Sequence, residues 1–345
     1  MKKKFVLCGC DAGGREFLSL TGRENTAYFC DDKYKGQVVD GVEIIGFDEL
    51  KEIHKAYDVV ITNRNLTNQI ATFLDAQKIP FKLAYGGKDF FNFWRQLFFL
   101  SLTGMNIGGG GSVFESGEAV ALQILKNVFG VSKIPTLFDV GANIGKYTLL
   151  LANLFPNATI HSFEPGHTTY AAFNTNTESL QMGGGGANLF ANNVGLSDSV
   201  GEMTLFYDKA GSGLASLYNR QLDYFGIDFS KKETVSITTL DNYCTEKGVE
   251  YIDLLKLDVE GNELKILQGA QKMLANGKIA NIQIEFGGCN LDSRTYFRDF
   301  WNLLHKDFHV FYILRDTLLE IPQYQEQMEI FTTTNFFFHA RKMSE

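Results

Sequence analysis

Short hydrophobic runs alternate with amphipathic stretches along almost the whole chain. Between residues 4 and 85, K-K-F-V-L-C-G-C reads as a strand and D-A-G-G-R-E-F as a glycine-rich turn opening a helix. T-A-Y-F-C-D-D is a second strand ending in acids, and D-E-L-K-E-I-H-K a helix. Y-D-V-V-I-T-N is a strand, and N-Q-I-A-T-F-L-D-A-Q a helix before K-I-P-F-K-L. Strands that alternate with helices predict a parallel sheet covered on both faces, a small doubly wound domain. Residues 88–103, K-D-F-F-N-F-W-R-Q-L-F-F-L-S-L-T, form a helix apolar nearly all round. It offers only Lys88 and Arg95 as basic groups, too few for the polar face of a membrane-surface helix, and reads as an interdomain or dimer-interface helix.

A second, larger α/β pattern starts at residue 113. S-G-E-A-V-A-L-Q-I-L-K-N-V-F is an amphipathic helix, followed by a strand over 137–140 and a helix over 144–154. Strands follow at A-T-I-H-S-F-E-P, A-N-L-F-A-N-N-V-G-L-S-D, G-E-M-T-L-F-Y, I-D-L-L-K-L-D-V-E-G and N-I-Q-I-E-F, with helices between several of them. The last two strands, F-H-V-F-Y-I-L and T-N-F-F-F-H-A-R, have no evident crossover helix and are expected as an antiparallel pair at the end of a mainly parallel sheet. The predicted division is a small Rossmann-like domain over 1–86, an aromatic helix and glycine-rich loop over 87–112, and a larger domain over 113–345. Two runs of four glycines, at 108–111 and 183–186, are linker-like and carry no functional reading.

Composition narrows the function classes. The 345 residues are 45% hydrophobic and 21% charged, with a net charge of −8, the profile of a globular protein with a real core. An acidic chain lacks the clustered lysine and arginine that nucleic acid requires, so no nucleic-acid partner is expected. No stretch is long and apolar enough for a membrane-spanning helix, and the start resembles no signal peptide. The five cysteines (Cys8, Cys10, Cys30, Cys244 and Cys289) are scattered and odd in number, which suits free thiols in a reducing cytoplasm rather than disulfides or zinc. Cys8 and Cys10 are expected on one face of a strand, in the core.

The chemistry concentrates around T-L-F-D-V-G-A-N-I-G-K-Y-T-L-L-L-A, residues 136–152. A strand ends in Asp139, turns through Gly141 and Gly145, and resumes as a helix. Asn143 stands where a dinucleotide fingerprint has the glycine that lets pyrophosphate approach. S-adenosylmethionine has no phosphate. Asp139 would face its cationic end, the glycines would allow a tight turn beneath its methionine moiety, and the helix start would receive its carboxylate. The next strand ends H-S-F-E-P, and Glu164 lies where an acid grips ribose hydroxyls in nucleotide folds; alone it would read as an ordinary exposed loop acid. In L-L-K-L-D-V-E-G-N-E, residues 254–263, a buried strand ends in Asp258, with Glu260 and Gly261 starting the turn. Ligands sit outside the carboxyl ends of such strands, so Asp258 and Glu260 should face the same crevice. The plainer reading gives Glu260 and Glu263 to a helix N-terminus.

Together the segments 138–148, S-F-E-P (162–165), N-N-V-G-L-S-D (192–198), 254–263 and I-Q-I-E-F (282–286) resemble the FkbM family of S-adenosylmethionine-dependent methyltransferases. The resemblance covers roughly 113–342. It implies a class I methyltransferase sheet of seven strands with the last antiparallel, and methyl transfer to a hydroxyl oxygen, often on a sugar or polyketide-type product. It also implies that Asp139, Gly141, Asn143 and Gly145 surround the methionine end, that Glu164 holds the ribose, that Asn193 and Ser197 lie near the adenine, and that Asp258 sits beside the methyl group. The N-terminal stretch resembles the small Rossmann-like domain in front of several sugar-modifying enzymes, including nucleotide-sugar acyltransferases. Its glycine spacing (Gly9, Gly13, Gly14) departs from the dinucleotide pattern and Asp11 would repel a pyrophosphate, so a docking or dimerisation module, and with it a homo-oligomer, is the alternative.

A sugar hydroxyl has a high pKa, so a general base should assist transfer. Candidates are Asp258, Glu260, Glu285 and His167, while His161 reads as a packed strand residue. The same three carboxylates could bind a divalent cation, but no residue is assigned to a metal. The stretch 285–300 follows a strand end through Gly287 and Gly288, and Asn290, Asp292 and Arg294 are expected to meet a small-molecule or glycan acceptor. The plainer reading makes Asp292 and Ser293 a helix cap. Residues 208–229 are a second candidate lid. Two other classes stay open: an NAD-dependent nucleotide-sugar oxidoreductase, disfavoured by the missing G-x-G-x-x-G and by the expectation of no Tyr-x-x-x-Lys pair, and a non-catalytic glycan- or nucleotide-binding protein.

Overall fold

The computed structural model describes residues 3–110, 112–130, 133–181 and 186–341. Gly111 and Gly183, Gly184 and Gly185 of the two glycine runs lie outside the described residues. The chain divides into two compact units, residues 1–101 and 102–345.

In the first unit, β1 (Phe5–Cys8), β2 (Thr26–Cys30), β3 (Val38–Val39), β4 (Val42–Ile45), β5 (Asp58–Ile61) and β6 (Phe81–Leu83) form a sheet in the order β3-β4-β2-β1-β5-β6. All neighbours are parallel except β3 and β4. Alternation divides the core. Val6, Cys8, Val59 and Ile61 face one side, and Leu7, Phe29 and Val60 the other. Cys8 and Cys10 do not share a face. Gly9, at φ +115°, turns the chain at the end of β1 and puts Cys10 into the opposite cluster.

In the second unit, β7 (Thr136–Val140), β8 (Thr159–Phe163) and β9 (Asn188–Asn192) come first. β10 (Gly195–Leu196), β11 (Gly201–Tyr207) and β12 (Lys231–Thr238) form a separate small sheet in the order β10-β12-β11. β12 escapes a hydrophobic reading because only Val235 and Ile237 of K-K-E-T-V-S-I-T are buried. The main sheet is completed by β13 (Leu254–Leu257), β14 (Asn281–Phe286), β15 (Phe308–Ile313), β16 (Leu318–Glu320) and β17 (Thr334–Ala340). Its order is β16-β15-β17-β14-β13-β7-β8-β9, with β17 antiparallel to both β14 and β15. The expected closing pair is present. The expected count of seven becomes eight among the described residues, because the short, largely exposed β16 folds back antiparallel on the edge of β15.

Strand parity positions the site. Phe138, Val140, Leu255, Leu257, Ile282 and Ile284 pack on one face of this sheet. Fully burying each such side chain contributes roughly 1.5–3 kcal/mol. Leu137, Leu254 and Phe337 pack on the other, with the helices Glu118–Phe129 and Lys146–Leu154. Asp139, Lys256, Gln283 and Glu285 share the parity of this second set, so their side chains leave the sheet toward those helices.

Candidate active site

A cavity of about 550 Å³ opens at the carboxyl ends of β7, β8, β13 and β14 in the second unit. Its floor is the turn after β7. Gly141 and Ala142 donate their N–H groups to the Phe163 carbonyl at 3.0 and 2.9 Å. Gly141 has φ +86°, and a Cβ there would lie 1.8 Å from the Asp258 carbonyl oxygen, so only glycine lets the β7 and β13 turns touch. Asn143, at φ +48°, donates its backbone N–H to Glu164 Oε2 at 3.0 Å and its side-chain amide to the Ser212 carbonyl at 3.1 Å. Asn143 Oδ1 is buried without a partner among the described residues, an unused acceptor on a cavity-lining residue.

Glu164 also lines the cavity and is not the exposed loop acid of the plainer reading. It is 7% exposed and also accepts the Gly166 N–H at 2.9 Å. Burial pushes its carboxyl up to about 7, against the two backbone donors that favour its ionised form.

Asp139 is enclosed below the cavity rather than lining it. Thr148 Oγ1 donates to its Oδ2 at 2.6 Å, and Lys256 Nζ lies 3.6 Å from its Oδ1. Its expected direct contact with a cationic ligand is therefore replaced by an internal one with Lys256. Lys256 is buried, lines the cavity, donates to Asp258 Oδ2 at 3.1 Å, and sits 4.6 Å from the centre of the Tyr147 ring. Burial works against its charge, but Asp258, Asp139 and Glu118 outweigh burial and hold its pKa well above the usual lysine value. The polar network continues upward. Tyr147 Oη donates to Gln283 Oε1 at 3.0 Å, and Gln283 Nε2 donates to Glu118 Oε1 at 2.7 Å. Ser116 Oγ donates to Glu118 Oε2 at 2.8 Å.

Asp258, Glu260 and Glu285 converge as expected, and one oxygen of each lies within 4.8 Å of the others. Two of the three already hold protein cations, Asp258 with Lys256 and Glu260 with Arg220. Burial, then repulsion from Asp258, raises Glu260 to about 8 against the opposing pull of Arg220. Glu285 is raised well above the carboxylate range by burial, then by Asp258 and Glu260. Its carboxylate has no hydrogen-bond or ion-pair partner among the described residues. The helix-start role falls to Glu263, whose Oε1 accepts the N–H groups of Val259 and Gly261 at 3.1 and 3.0 Å.

Other expected site residues lie elsewhere. The Asn193 amide is used on the carbonyls of Glu164 and Pro165, and Ser197 is buried outside the cavity; Gly195 and Leu196 form the wall between them. Asn290, Asp292 and Arg294 do not line the cavity. Asn290 is buried and accepts the Gly287 N–H, Asp292 accepts the Gln221 N–H, and Arg294 is an exposed left-handed residue ending the short helix Cys289–Ser293. The helix Phe297–Leu304 is started by Tyr296 and Asp299, not by Asp292 and Ser293. His167 is exposed beside Glu233. His161 is packed, stacked between Phe138 and Phe190 and bonded to Tyr243 Oη, with burial lowering its pKa to about 4. The spacing Tyr-x-x-x-Lys does occur, at Tyr243 and Lys247, but Tyr243 is buried and committed to His161 and Asn192 away from the cavity.

Lys256, Glu118, Tyr147, Gln283 and Arg220 escape the sequence reading. Lys256 leaves a trace as the lone charge inside the buried run L-L-K-L, and Glu118 as an acid on the apolar face of its helix. Arg220 leaves none.

A first strand with Asp139 one residue before its end, a two-glycine turn into a helix, an acid after the second strand and an antiparallel strand, β17, set between β14 and β15 give the second unit the fold of a class I methyltransferase. Residues 139–310, within the second unit, match the family model described as Methyltransferase FkbM domain. The chain is 30% identical over 161 residues to Methyltransferase sdnD of Sordaria araneosa, covering 40% of this chain and 61% of that protein. It is 28% identical over 158 residues to the 31-O-demethyl-FK506 methyltransferase FkbM of Streptomyces tacrolimicus, covering 39% and 59%. It is 29% identical over 150 residues to the 2-O-methyltransferase NoeI of Sinorhizobium fredii, covering 41% and 59%. The chain thus spans about six-tenths of the length of these curated relatives. The crystal structure of Methyltransferase FkbM from Methylobacillus flagellatus KT superposes with a TM-score of 0.38 at 12% identity, covering 98% of this chain and 90% of that one, too loosely for residue correspondences. No helix among the described residues is long and apolar enough to cross a membrane.

Proposed function

We propose that the chain is an S-adenosylmethionine-dependent O-methyltransferase whose acceptor is a hydroxyl of a sugar, glycan or related metabolite. The observation that carries this reading is the convergence of the Gly141–Ile144 turn, Glu164 and the Asp258, Glu260 and Glu285 carboxylates on one cavity. The names of two relatives specify transfer to oxygen, which supports the same reaction here. The cofactor would supply a methyl group already activated on a positively charged sulfur.

The residues present fit such a group. Glu164 would accept hydrogen bonds from the ribose diol, and the unused Asn143 Oδ1 would accept from an ammonium. The apolar wall of Phe163, Pro165, Leu196 and Leu205 would pack an adenine. Asp139 would act from below, holding Lys256 and through it Asp258. The chain's main contribution is position, placing an acceptor oxygen in line behind the methyl group. Glu285 is the carboxylate best suited to take the acceptor proton. Asp258 and Glu260 are tied to cations, whereas Glu285 is free of hydrogen bonds among the described residues and made more basic by its surroundings.

For the N-terminal unit we propose docking rather than nucleotide binding. Asp11 Oδ1 already accepts the Gly14 N–H at 3.2 Å, placing a carboxylate at the helix start where a pyrophosphate would sit. Five unpaired cysteines fit a reducing compartment, and we place the protein in the cytoplasm.

The test is calorimetric titration of the whole chain with S-adenosylmethionine and S-adenosylhomocysteine, with NAD as the control and a Glu164→Ala variant in parallel. Micromolar binding of the first two that weakens in the variant is expected. Binding of NAD alone would overturn the reading in favour of the oxidoreductase.

A further inference from the structure

The cavity has a roof that is held almost entirely by side chains. Gly211, Ser212, Gly213, Ala215 and Leu217 line it from above. Among the described residues, the only backbone tie between this strap and a strand is the reciprocal pair of hydrogen bonds between Phe206 and Ser216, at 2.8 and 3.0 Å. Ala215 and Leu217 pack on Leu205, Val235 and Ile237 of the small sheet, and the strap's other polar anchors reach the segments at the strand ends. Asn143 donates its side-chain amide to the Ser212 carbonyl, Ser216 Oγ donates to the Glu260 carbonyl at 2.6 Å, and the Gln221 N–H donates to Asp292 Oδ1 at 3.3 Å. The strongest anchor is Arg220, whose side chain is 8% exposed. Its Nη1 donates to Glu260 Oε2 and its Nε lies 3.6 Å from Asp292 Oδ2.

Two features make this a latch rather than ordinary packing. Arg220 joins two carboxylates from different segments, hydrogen-bonding Glu260 in the turn after β13 and pairing at ion-pair distance with Asp292 in the short helix after β14, a span suited to the length and several donors of a guanidinium. Two of the strap's partners, Asn143 and Glu260, are non-glycine residues held at φ +48° and +56°, a conformation that persists only while its surroundings impose it. A segment with few backbone ladder bonds opens at lower free energy than the sheet beneath it.

We propose that Arg220 is a positioning residue that latches residues 212–221 over the cofactor cavity by holding Glu260 and Asp292 together. With the latch closed, Glu260 is fixed beside Asp258 and Glu285. With it open, the roof lifts and the cavity exchanges its contents.

The closure is tested by hydrogen exchange and mass spectrometry on the whole chain without ligand. In Arg220→Met, protection of residues 212–221 should fall by about tenfold or more, the scale of losing hydrogen bonds to charged groups, while β7 and β13 keep theirs. Arg220→Lys, a point charge without the fork, should fall between. Unchanged protection in Arg220→Met, or equal loss in β7 and β13, would overturn the latch. The double variant Arg220→Met/Glu260→Gln removes the buried charge that the single change strands. Recovery of Tm without recovery of strap protection supports the latch. If protection returns with Tm, Arg220 merely neutralises Glu260 and the proposal falls. A second arm, which rests on the S-adenosylmethionine reading, measures S-adenosylhomocysteine release by stopped flow, expected about tenfold faster in Arg220→Met. Absence of binding by the unaltered chain would sink that reading and leave the exchange data to judge the latch.

Discussion

Lys256→Met offers a sharp test of the electrostatics beneath the cavity. The ammonium is buried on β13, 3.1 Å from Asp258 and 3.6 Å from the fully enclosed Asp139. Methionine replaces its volume but not its charge, so the carboxylates lose their counter-ion. Breaking a buried pair by removing one partner costs about 3–5 kcal/mol. That cost is relieved when a carboxyl takes up a proton. Burial already raises Asp139, and Lys256 is the main group opposing the rise, so its loss raises Asp139 further. A carboxyl raised in the folded state contributes stability that is present below its unfolded value and lost as pH rises through its folded value. The destabilisation by Lys256→Met should therefore grow with pH, by about 1.4 kcal/mol per pH unit for each proton the folded variant must release. Urea unfolding at acid and alkaline pH measures it. Of the two tryptophans, Trp94 belongs to the first unit and Trp301 to the second, so a Trp94→Phe background leaves Trp301 to report on the domain in question. A loss of about 3–5 kcal/mol near pH 8, shrinking by roughly 2–3 kcal/mol near pH 6, is expected. Adding Asp139→Asn to the variant should recover about half of the alkaline loss, because one of two stranded charges is removed. A loss below about 1 kcal/mol, or one equal at both pH values, would refute the reasoning.

Three further outcomes follow from the site. Glu164 ionises near pH 7, and a ribose diol donates to the ionised form, so S-adenosylmethionine affinity should rise through that pH. Glu164→Gln should bind about 10- to 100-fold more weakly with a flat pH profile by calorimetry, and a surviving pH dependence would remove Glu164 from the ribose. Gly141→Ala places a Cβ 1.8 Å from the Asp258 carbonyl, whereas Gly211→Ala, also at positive φ, meets nothing nearer than Ile144 at 3.7 Å. Thermal unfolding should show the second costing about 1–2 kcal/mol and the first clearly more, and equal losses would mean the two turns move apart freely. Glu285→Gln should lower kcat by about 10²- to 10⁴-fold and abolish the rise of rate with pH, the loss in kcat exceeding any change in cofactor affinity; a rate kept near that of the unaltered chain would exclude Glu285 as the base.

The parts of this site legible in the sequence are those fixed by backbone geometry. Gly141 and Gly145 announce a turn because their conformations exclude side chains, and Glu164 and Asp258 are found because strand ends in an open α/β sheet share one crevice. What the sequence conceals is orientation within that crevice. Asp139 sits in the run F-D-V-G, yet strand parity turns it down into Thr148 and Lys256. Asn290, Asp292 and Arg294 look like an acceptor loop by polarity, but Asn290 and Asp292 hydrogen-bond to neighbouring backbone and Arg294 faces solvent. Polar character does not reveal whether a hydrogen bond is made to a ligand or to the chain itself. Glu118 sits in a helix and Arg220 in a candidate lid, both outside the cofactor motifs, and each joins the site only through tertiary packing.

The charge on the cavity wall narrows what it can hold. Glu118, Glu164, Asp258, Glu260 and Glu285 line it, against Lys146 and Lys256. Lys256 is already committed to Asp258, and Lys146 is exposed and screened by solvent. A ligand carrying a pyrophosphate would add negative charge to a wall whose buried carboxyls are already raised by one another, and each would have to bind a proton or move away. A sulfonium and an ammonium do the opposite, lowering those carboxyls and ordering them around the ligand. The field of an entering cation opposes the burial and carboxylate repulsion that make Glu285 basic, and would draw its proton off. Cofactor binding should therefore release protons from Glu285 and Glu260. Titrations in buffers of different ionisation enthalpy would measure that release, and none at neutral pH would contradict a cationic ligand beside these three carboxylates.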